Sequence, residues 1–312
     1  MTNRLVNAAM HTDVGQIRDH NEDYVICKEP ANDSEMTQNG WLYIVADGVG
    51  GADAGEVASQ FASQQTVNHY LRNHTQENWG QRLVDSMQAA NTELRRMVAE
   101  RNDNSRMATT MVAAVIDQHK AFIANVGDSR GYLWRKGSLE QITKDQSLVA
   151  KLLEEGAITE DEAENHPRRN VILYSLGSER SPKIDLFERF LEPDDKIFLC
   201  SDGLTRHVSD DEICQHLAND DIKETADALI TLANNRGGQD NITVGILHFL
   251  GETAVQNQDP TEDGFVDSGT VTGKTAVPVS AAQSSKSLWG LTLILTVVQS
   301  FLIVFLWALL FA

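Results

Sequence analysis

Acidic side chains set beside glycines are the residues of this chain with the clearest chemistry. Four clusters carry them: Gly15-x-x-Arg18-x-x-Asn21-Glu22-Asp23, Asp47-Gly48-Val49-Gly50-Gly51, Ser201-Asp202-Gly203 and Asp240-Asn241. The second and third share a layout, in which an apolar, strand-like run (41–46 or 196–200) delivers an aspartate into an expected Asp-Gly turn. A strand end holds a side chain rigidly, and glycine lets the backbone bend so that its carbonyl can also face a ligand. Oxygen donors placed this way suit a hard divalent cation such as Mg²⁺ or Mn²⁺.

Two other anion chemistries are present in outline. The 47–51 stretch has the glycines of a phosphate loop, but it lacks the Lys-Ser/Thr of a P-loop, and its leading aspartate repels phosphate unless a metal lies between. Cys200 and Arg206 have the Cys-x5-Arg spacing of cysteine-dependent phosphatases, where a thiolate attacks phosphorus in a cradle of backbone N–H groups. Asp202 would then face the anion, and Cys200 ends an apolar run where burial raises its pKa. The expectation for Cys200 is packing, and the same holds for Cys27.

The elements that must position these residues follow from periodicity. Strands are expected at 23–28, 41–46, 109–117, 121–126, 131–135, 184–190, 196–200 and 242–250, with Lys136-Gly137 as a hairpin turn. Asp53-x-x-Glu56 predicts a capping box opening a helix to about residue 72, with Val57, Ala58 and Phe61 inward. Leu83, Met87, Ala90, Leu94 and Met97 recur at helical spacing. Ser209-x-x-Glu212 predicts a third helix start, and 225–234 a last helix. Short, hairpin-linked strands with helices in consecutive pairs favour antiparallel sheets covered by helical pairs over a doubly wound parallel sheet.

Taken in order, Arg18/Glu22/Asp23, Asp47-Gly48-Val49-Gly50-Gly51, Gly127-Asp128-Ser129-Arg130, Ser201-Asp202-Gly203 and Gly238-Gln239-Asp240-Asn241 resemble the metal-dependent Ser/Thr protein phosphatases (PPM, or type 2C) in their bacterial form. The resemblance covers about residues 6–249. It implies an α+β fold of two packed antiparallel β-sheets flanked by pairs of α-helices, an αββα sandwich, with two Mn²⁺ or Mg²⁺ ions between the sheets. By match of position, Asp47 would bridge the ions, Asp202 and Asp240 would hold one, and Glu22 and the Gly48 carbonyl the other. Asp23 would act through a water, Asp128 would serve a third, weaker site, and Arg18 would clamp the substrate phosphate. Asn241 and Thr243 look structural, steadying the loop around Asp240.

The implied reaction is hydrolysis of phosphoserine and phosphothreonine on proteins by a metal-bridging hydroxide, opposing a bacterial Ser/Thr kinase near the membrane. The implied partners are phosphorylated proteins, a Ser/Thr kinase and its substrates among them. One departure stands out: eukaryotic relatives carry a histidine general acid after Asp-Gly, where this chain has Val49. His166 is a replacement only by default. The polar stretch 144–170 corresponds to the family's mobile flap, in which Arg168 and Arg169 either meet phosphopeptide acids or stay solvated. The non-enzyme alternative is a catalytically silent phosphoprotein-binding module, whose mark would be a missing metal aspartate; Asp47, Asp202 and Asp240 are all present.

Composition bounds the rest. The 312 residues carry 26 basic and 45 acidic groups, a formal charge of −19 that argues against nucleic-acid binding. Residues 251–286 hold five acids, two lysines and no apolar periodicity, so a flexible polar linker is expected after a phosphatase domain at 1–250. From Ser287 to Ala312 there is no charged residue, and Trp289 and Trp307 lie near the two ends. This length and pattern predict a single transmembrane helix at 287–312. No basic-then-apolar signal opens residues 1–12, and Lys286 precedes the span. The expected location is therefore the cell inner membrane, single-pass, with the catalytic domain cytoplasmic.

Overall fold

Alternation along the central strands sends apolar side chains to two opposite faces, and each face meets its own layer. The computed structural model describes residues 5–50, 54–101 and 107–251. The expected transmembrane helix at 287–312 and all but the first residue of the linker lie outside the described residues. Among the described residues, no helix is long and apolar enough to cross a membrane.

Two antiparallel sheets form the centre. One runs in the order β1 (Val6–Asp13), β11 (Ile242–Phe249), β10 (Lys196–Cys200), β7 (Arg130–Arg135), β8 (Ser138–Gln141). The other runs β2 (Asp23–Lys28), β3 (Trp41–Val49), β5 (Met111–Asp117), β6 (Lys120–Val126), β9 (Asp185–Phe190), with β4 (Ala108–Thr109) pairing the end of β3. The helices are α1 (Asp33–Asn39), α2 (Ala54–Arg72), α3 (Trp79–Arg101), α4 (Leu148–Glu154), α5 (Glu160–Glu164), α6 (Asp202–Thr205), α7 (Asp210–Leu217) and α8 (Ile222–Asn235).

In β3, Tyr43 and Val45 pack between the sheets against Val112, Ile123, Leu199 and Leu247. The alternate residues Leu42, Ile44 and Ala46 face Ala58, Leu83, Met87 and Leu94 of α2 and α3. In β10, Leu199 points into the inter-sheet core, whereas Phe198 and Cys200 lie against Ile213, Leu217 and Leu229 of α7 and α8. The layers are helix pair, sheet, sheet, helix pair, as expected.

Several local readings need correction. Asp47-Gly48 does not turn the chain: β3 continues to Val49 because β4 supplies partners, Thr109 for Gly48 and Ala108 for Val49. Asp202-Gly203 opens a short helix, with Ser201 at its N-cap. The strand expected at 109–117 is broken at Thr110, whose amide donates to the Asp47 carbonyl at 2.9 Å. Cys27 is exposed, on an edge strand, not buried. Periodicity did not find β1, α1 or α5; α1 buries no residue, so it leaves no apolar stripe to read. The hairpin at Lys136-Gly137 is present, with φ of 49° and 84°, and Ser209 and Glu212 form the expected capping box. Asp53, the first half of the other expected box, lies outside the described residues.

One close approach joins the two stretches that carry Asp202 and Asp240. A Cβ on Gly203 would collide with the backbone carbonyl oxygen of Asn241, so α6 and the loop before β11 are pressed together through a missing side chain. Gly203→Ala is expected to cost about 2–3 kcal/mol by overpacking, read as a lowered urea midpoint. Unchanged stability would mean that the loop yields freely.

Candidate metal centre

Two-residue periodicity carries the inter-sheet face of β3 from Tyr43 and Val45 to Asp47, at the end of the cleft where apolar cover stops. Asp23 stands opposite Asp47 in the β2–β3 register. From the other sheet, Asp202 opens α6 one residue after β10, and Asp240 precedes its neighbour β11. Asp128 sits in the connection from β6 to β7, where the chain passes from one sheet to the other.

The Asp47 backbone is gripped from β4 and Thr110. Its carbonyl accepts from Thr109 Oγ1 at 2.8 Å and from Thr110 N at 2.9 Å, and its amide donates to Thr110 Oγ1 at 3.3 Å. Thr110 Oγ1 also lies 2.7 Å from Ser129 Oγ, tying this strand to the Asp128 loop. The Glu22 carbonyl accepts from Gly48 N at 3.0 Å and from Ser59 Oγ at 2.6 Å. A Cβ on Gly55 would strike the Glu22 carboxylate, so glycine at the start of α2 makes room for it.

The electrostatics are those of carboxylates forced together. Burial raises Asp47 well above the ordinary range, and Asp23, Asp202, Asp128 and Asp240 raise it further. Burial lifts Asp23 to about 7, against hydrogen bonds from Thr243 and Ser201. Asp128 is pushed up to about 8 by burial and by Asp202 and Asp145. Asp202 and Glu22 are also raised by burial, with Arg206 and Arg18 respectively opposing.

Two arginines partly offset the repulsion. Arg18 reaches Asp240 Oδ1 at 2.8 Å and Glu22 Oε2 at 3.6 Å. Arg206 reaches Asp240 Oδ2 at 3.2 Å and pairs closely with Asp202. Buried oxygens still remain without a hydrogen-bond partner: Oδ1 of Asp23, of Asp128 and of Asp202. These orphaned oxygens, in an all-oxygen donor set, fit hard divalent cations. Among the described residues, no three such side chains converge as a finished coordination sphere; Asp240 and Asp202 are turned toward the arginines instead.

The structure thus brings Arg18, Glu22, Asp23, Asp47, Gly48, Asp128, Asp202 and Asp240 together. Asn241 does more than expected. Its Oδ1 accepts from Glu22 N at 2.8 Å, and its Nδ2 donates to the carbonyls of Val14 and His20, both at 2.9 Å. It therefore holds the loop that carries Arg18 and Glu22, besides donating its amide to Asp240 Oδ1 at 3.0 Å. The Thr243 amide donates to Ser201 Oγ at 3.0 Å, and Ser201 Oγ donates to Asp23 Oδ2 at 2.8 Å.

Sequence reasoning gave no role to Ser201 and Ser129, which it met only as members of the Asp202 and Asp128 motifs, and missed Thr110 altogether; the hydroxyls of all three help position the acids. It met Arg206 only as the end of Cys-x5-Arg; the i,i+4 spacing from Asp202 was the available signal. Cys200 is fully buried on the helix side of β10, with its thiol pKa raised by burial, so it does not face the cluster. His166 Nδ1 accepts from Arg168 N at 3.1 Å, a local turn contact, and Arg168 and Arg169 are exposed.

The chain matches the family Protein phosphatase 2C over residues 20–242. It is 40% identical over 246 residues to Serine/threonine phosphatase stp of Listeria monocytogenes, covering 77% of this chain and 94% of that protein. It is similar to the crystal structure of the Mycobacterium tuberculosis serine/threonine phosphatase PstP/Ppp, with a TM-score of 0.69 and 36% identity, over 78% of this chain and 98% of that one. The catalytic domain of PstP in complex with 2 manganese ions gives a TM-score of 0.66 and 34% identity, over 78% and 97% of the two chains.

The raised carboxylates predict how stability depends on pH in protein kept in EDTA. Asp23 and Asp128 bind protons more tightly folded than unfolded, so their contribution is full below their ordinary pKa of 3.8 and is lost as pH rises through about 7 and about 8. The urea midpoint should fall between about pH 5.5 and about pH 8.5, with a slope of up to about 1.4 kcal/mol per pH unit for each group. Saturating Mn²⁺ should flatten the dependence. A midpoint that rises over this range would contradict the assigned environment.

Proposed function

The chain belongs to the protein phosphatase 2C family of protein Ser/Thr phosphatases, and from that premise we propose that it hydrolyses phosphoserine and phosphothreonine at a pair of Mn²⁺ or Mg²⁺ ions built around Asp47. The observation that carries this reading is the set of buried carboxylate oxygens without partners beside an aspartate pressed on every side by other acids. Asp47, Asp202, Asp240, Glu22 and the Gly48 carbonyl would hold the two ions, with Asp23 acting through water and Asp128 at a weaker third site. When bound, such ions supply a hydroxide nucleophile at neutral pH and neutralise phosphoryl oxygens.

The chain's own groups do the rest. Arg18 is 45% exposed at the rim and offers a planar fork that matches two phosphoryl oxygens. Asn241 keeps that arginine's loop in place through both backbone carbonyls that it binds. Val49 has no proton to give, and the one hydrogen bond of the His166 ring is a local one to Arg168 N, so a water or another side chain would protonate the departing serine or threonine oxygen. No catalytic aspartate is missing, so the silent binding module loses its motive.

The substrates on this reading are proteins phosphorylated by a Ser/Thr kinase. Residues 287–312, free of charge in sequence, would tether the enzyme at the membrane and raise its effective concentration toward substrates there. Removing residues 252–312 should release the protein from the membrane fraction while kcat/KM on a soluble phosphopeptide stays unchanged; retention at the membrane would refute the tether.

The catalytic reading is tested by hydrolysis of a phosphothreonine peptide. Activity should require Mn²⁺ or Mg²⁺, vanish in EDTA and survive thiol alkylation. Asp47→Asn should lower kcat roughly 100-fold or more, since a ligand matters at least as much as the groups that support it. Activity that ignores EDTA and dies on alkylation would restore Cys200 as the nucleophile.

A further inference from the structure

Among the described residues, the exposed large apolar side chains are Val14, Ile17, Val49, Phe190 and Leu250. Single exposed apolar residues are ordinary on a protein surface. Three of these, however, adjoin the carboxylate cluster. Ile17 precedes Arg18, Val14 opens the same loop, and Val49 follows Gly48. Ile17 is 69% exposed.

The loop that presents Ile17 is pinned. Asp13 Oδ1 accepts from Gly15 N at 2.8 Å and from Asn234 Nδ2 at 3.0 Å. Gln16 N donates to the Gly238 carbonyl at 2.8 Å, and Arg18 reaches Asp240 at 2.8 Å. Asn241 binds the carbonyls of Val14 and His20 on either side. With the backbone fixed before and after it, Ile17 is held outward and does not fold back into the core.

The activity itself names what meets this side chain. A phosphoprotein presents its phosphoresidue to the cluster, and its neighbours follow at about 3.3–3.6 Å per residue. Residues one to three places away therefore lie within reach of the groups beside Arg18 and Gly48. The formal charge of −19 disfavours acidic neighbours, and the exposed Ile17 favours apolar ones. The opposite flank of Asp240 differs in character. Beyond Arg206 lies a groove of ≈ 680 Å³ whose lining includes Arg169, His207, Arg236 and Gln239, so the apolar contact is one-sided.

We propose that Ile17 is a specificity-determining contact that receives an apolar side chain flanking the phosphoserine or phosphothreonine. This rests on the phosphatase reading above. It is tested on the full chain with Mn²⁺, using two phosphothreonine peptides that differ only in carrying Leu or Ser near the phosphoresidue, and p-nitrophenyl phosphate, which has no flanking residue. Wild-type kcat/KM should favour the Leu peptide by about tenfold, the low end for an apolar contact in an enzyme site. Ile17→Ser should bring that ratio to about one while turnover of p-nitrophenyl phosphate is kept, and Ile17→Met should retain the preference. A wild-type ratio near one, or a preference that survives in Ile17→Ser, would overturn the proposal. An equal loss on p-nitrophenyl phosphate would do the same, by showing that Ile17 only supports Arg18. If wild type turns over none of the three substrates, the phosphatase reading fails first and takes this contact with it.

Discussion

Like charges held at the open end of an inter-sheet cleft are the constraint on which this structure depends. Acids on flexible loops would move apart, because repulsion and desolvation both favour separation. Here they are fixed by elements that cannot yield cheaply. Asp23 and Asp47 are locked opposite each other by the β2–β3 ladder. Asp202 and Asp240 are brought together because α6 and the loop before β11 touch where Gly203 has no side chain. The apolar core between the sheets ends one strand position before the acids begin, so the energy that orders the cleft comes from Tyr43, Val45, Leu199 and their neighbours.

A second tier of hydroxyls turns this fixed backbone into directed side chains. Ser201 binds Oδ2 of Asp23 and leaves Oδ1 unpartnered, while Thr243 holds Ser201 through its amide. Thr110 links the Asp47 backbone to Ser129 beside Asp128. Such supporting groups commonly set the orientation of a metal-binding acid as much as the acid's own position does. Hydrogen bonding satisfies one oxygen of a buried carboxylate and keeps the other for a ligand.

The sandwich was legible because its strands alternate and its helices carry apolar stripes; residues 23–28 and 196–200 have the same bounds in the structure as in the sequence reading. The acids were legible because glycine marks where the backbone must approach closely. The turns expected at those glycines are absent, and close approach takes their place. Gly48 lies within a strand and gives way to Gly55 and Glu22, and Gly203 lies in a helix and gives way to Asn241. A glycine needed for close approach looks the same in sequence as one needed for a turn. The roles of Ser201 and Thr110 were not legible, because Asp23, Thr243, Asp47 and Ser129 lie in other elements and only the folded chain brings them near, whereas Arg206 had a local signal in its i,i+4 spacing from Asp202.

Net charge works against any phosphorylated substrate, so capture must be local. At physiological ionic strength, charges farther away than about 8 Å are largely screened, so the guanidinium groups near Asp240 are the local positive charges set against the acids of the cluster. Arg18 and Arg206 divide its two oxygens between them, Oδ1 at 2.8 Å and Oδ2 at 3.2 Å. Each arginine is thereby held at the site by the same acids whose repulsion it relieves. Arg18 is the more exposed of the two, 45% against 30%, and stands on the side where Ile17 faces outward. Charge and apolar surface are presented by one pinned loop, so a substrate bound there would be held by a salt-sensitive contact and a salt-insensitive one at adjacent residues.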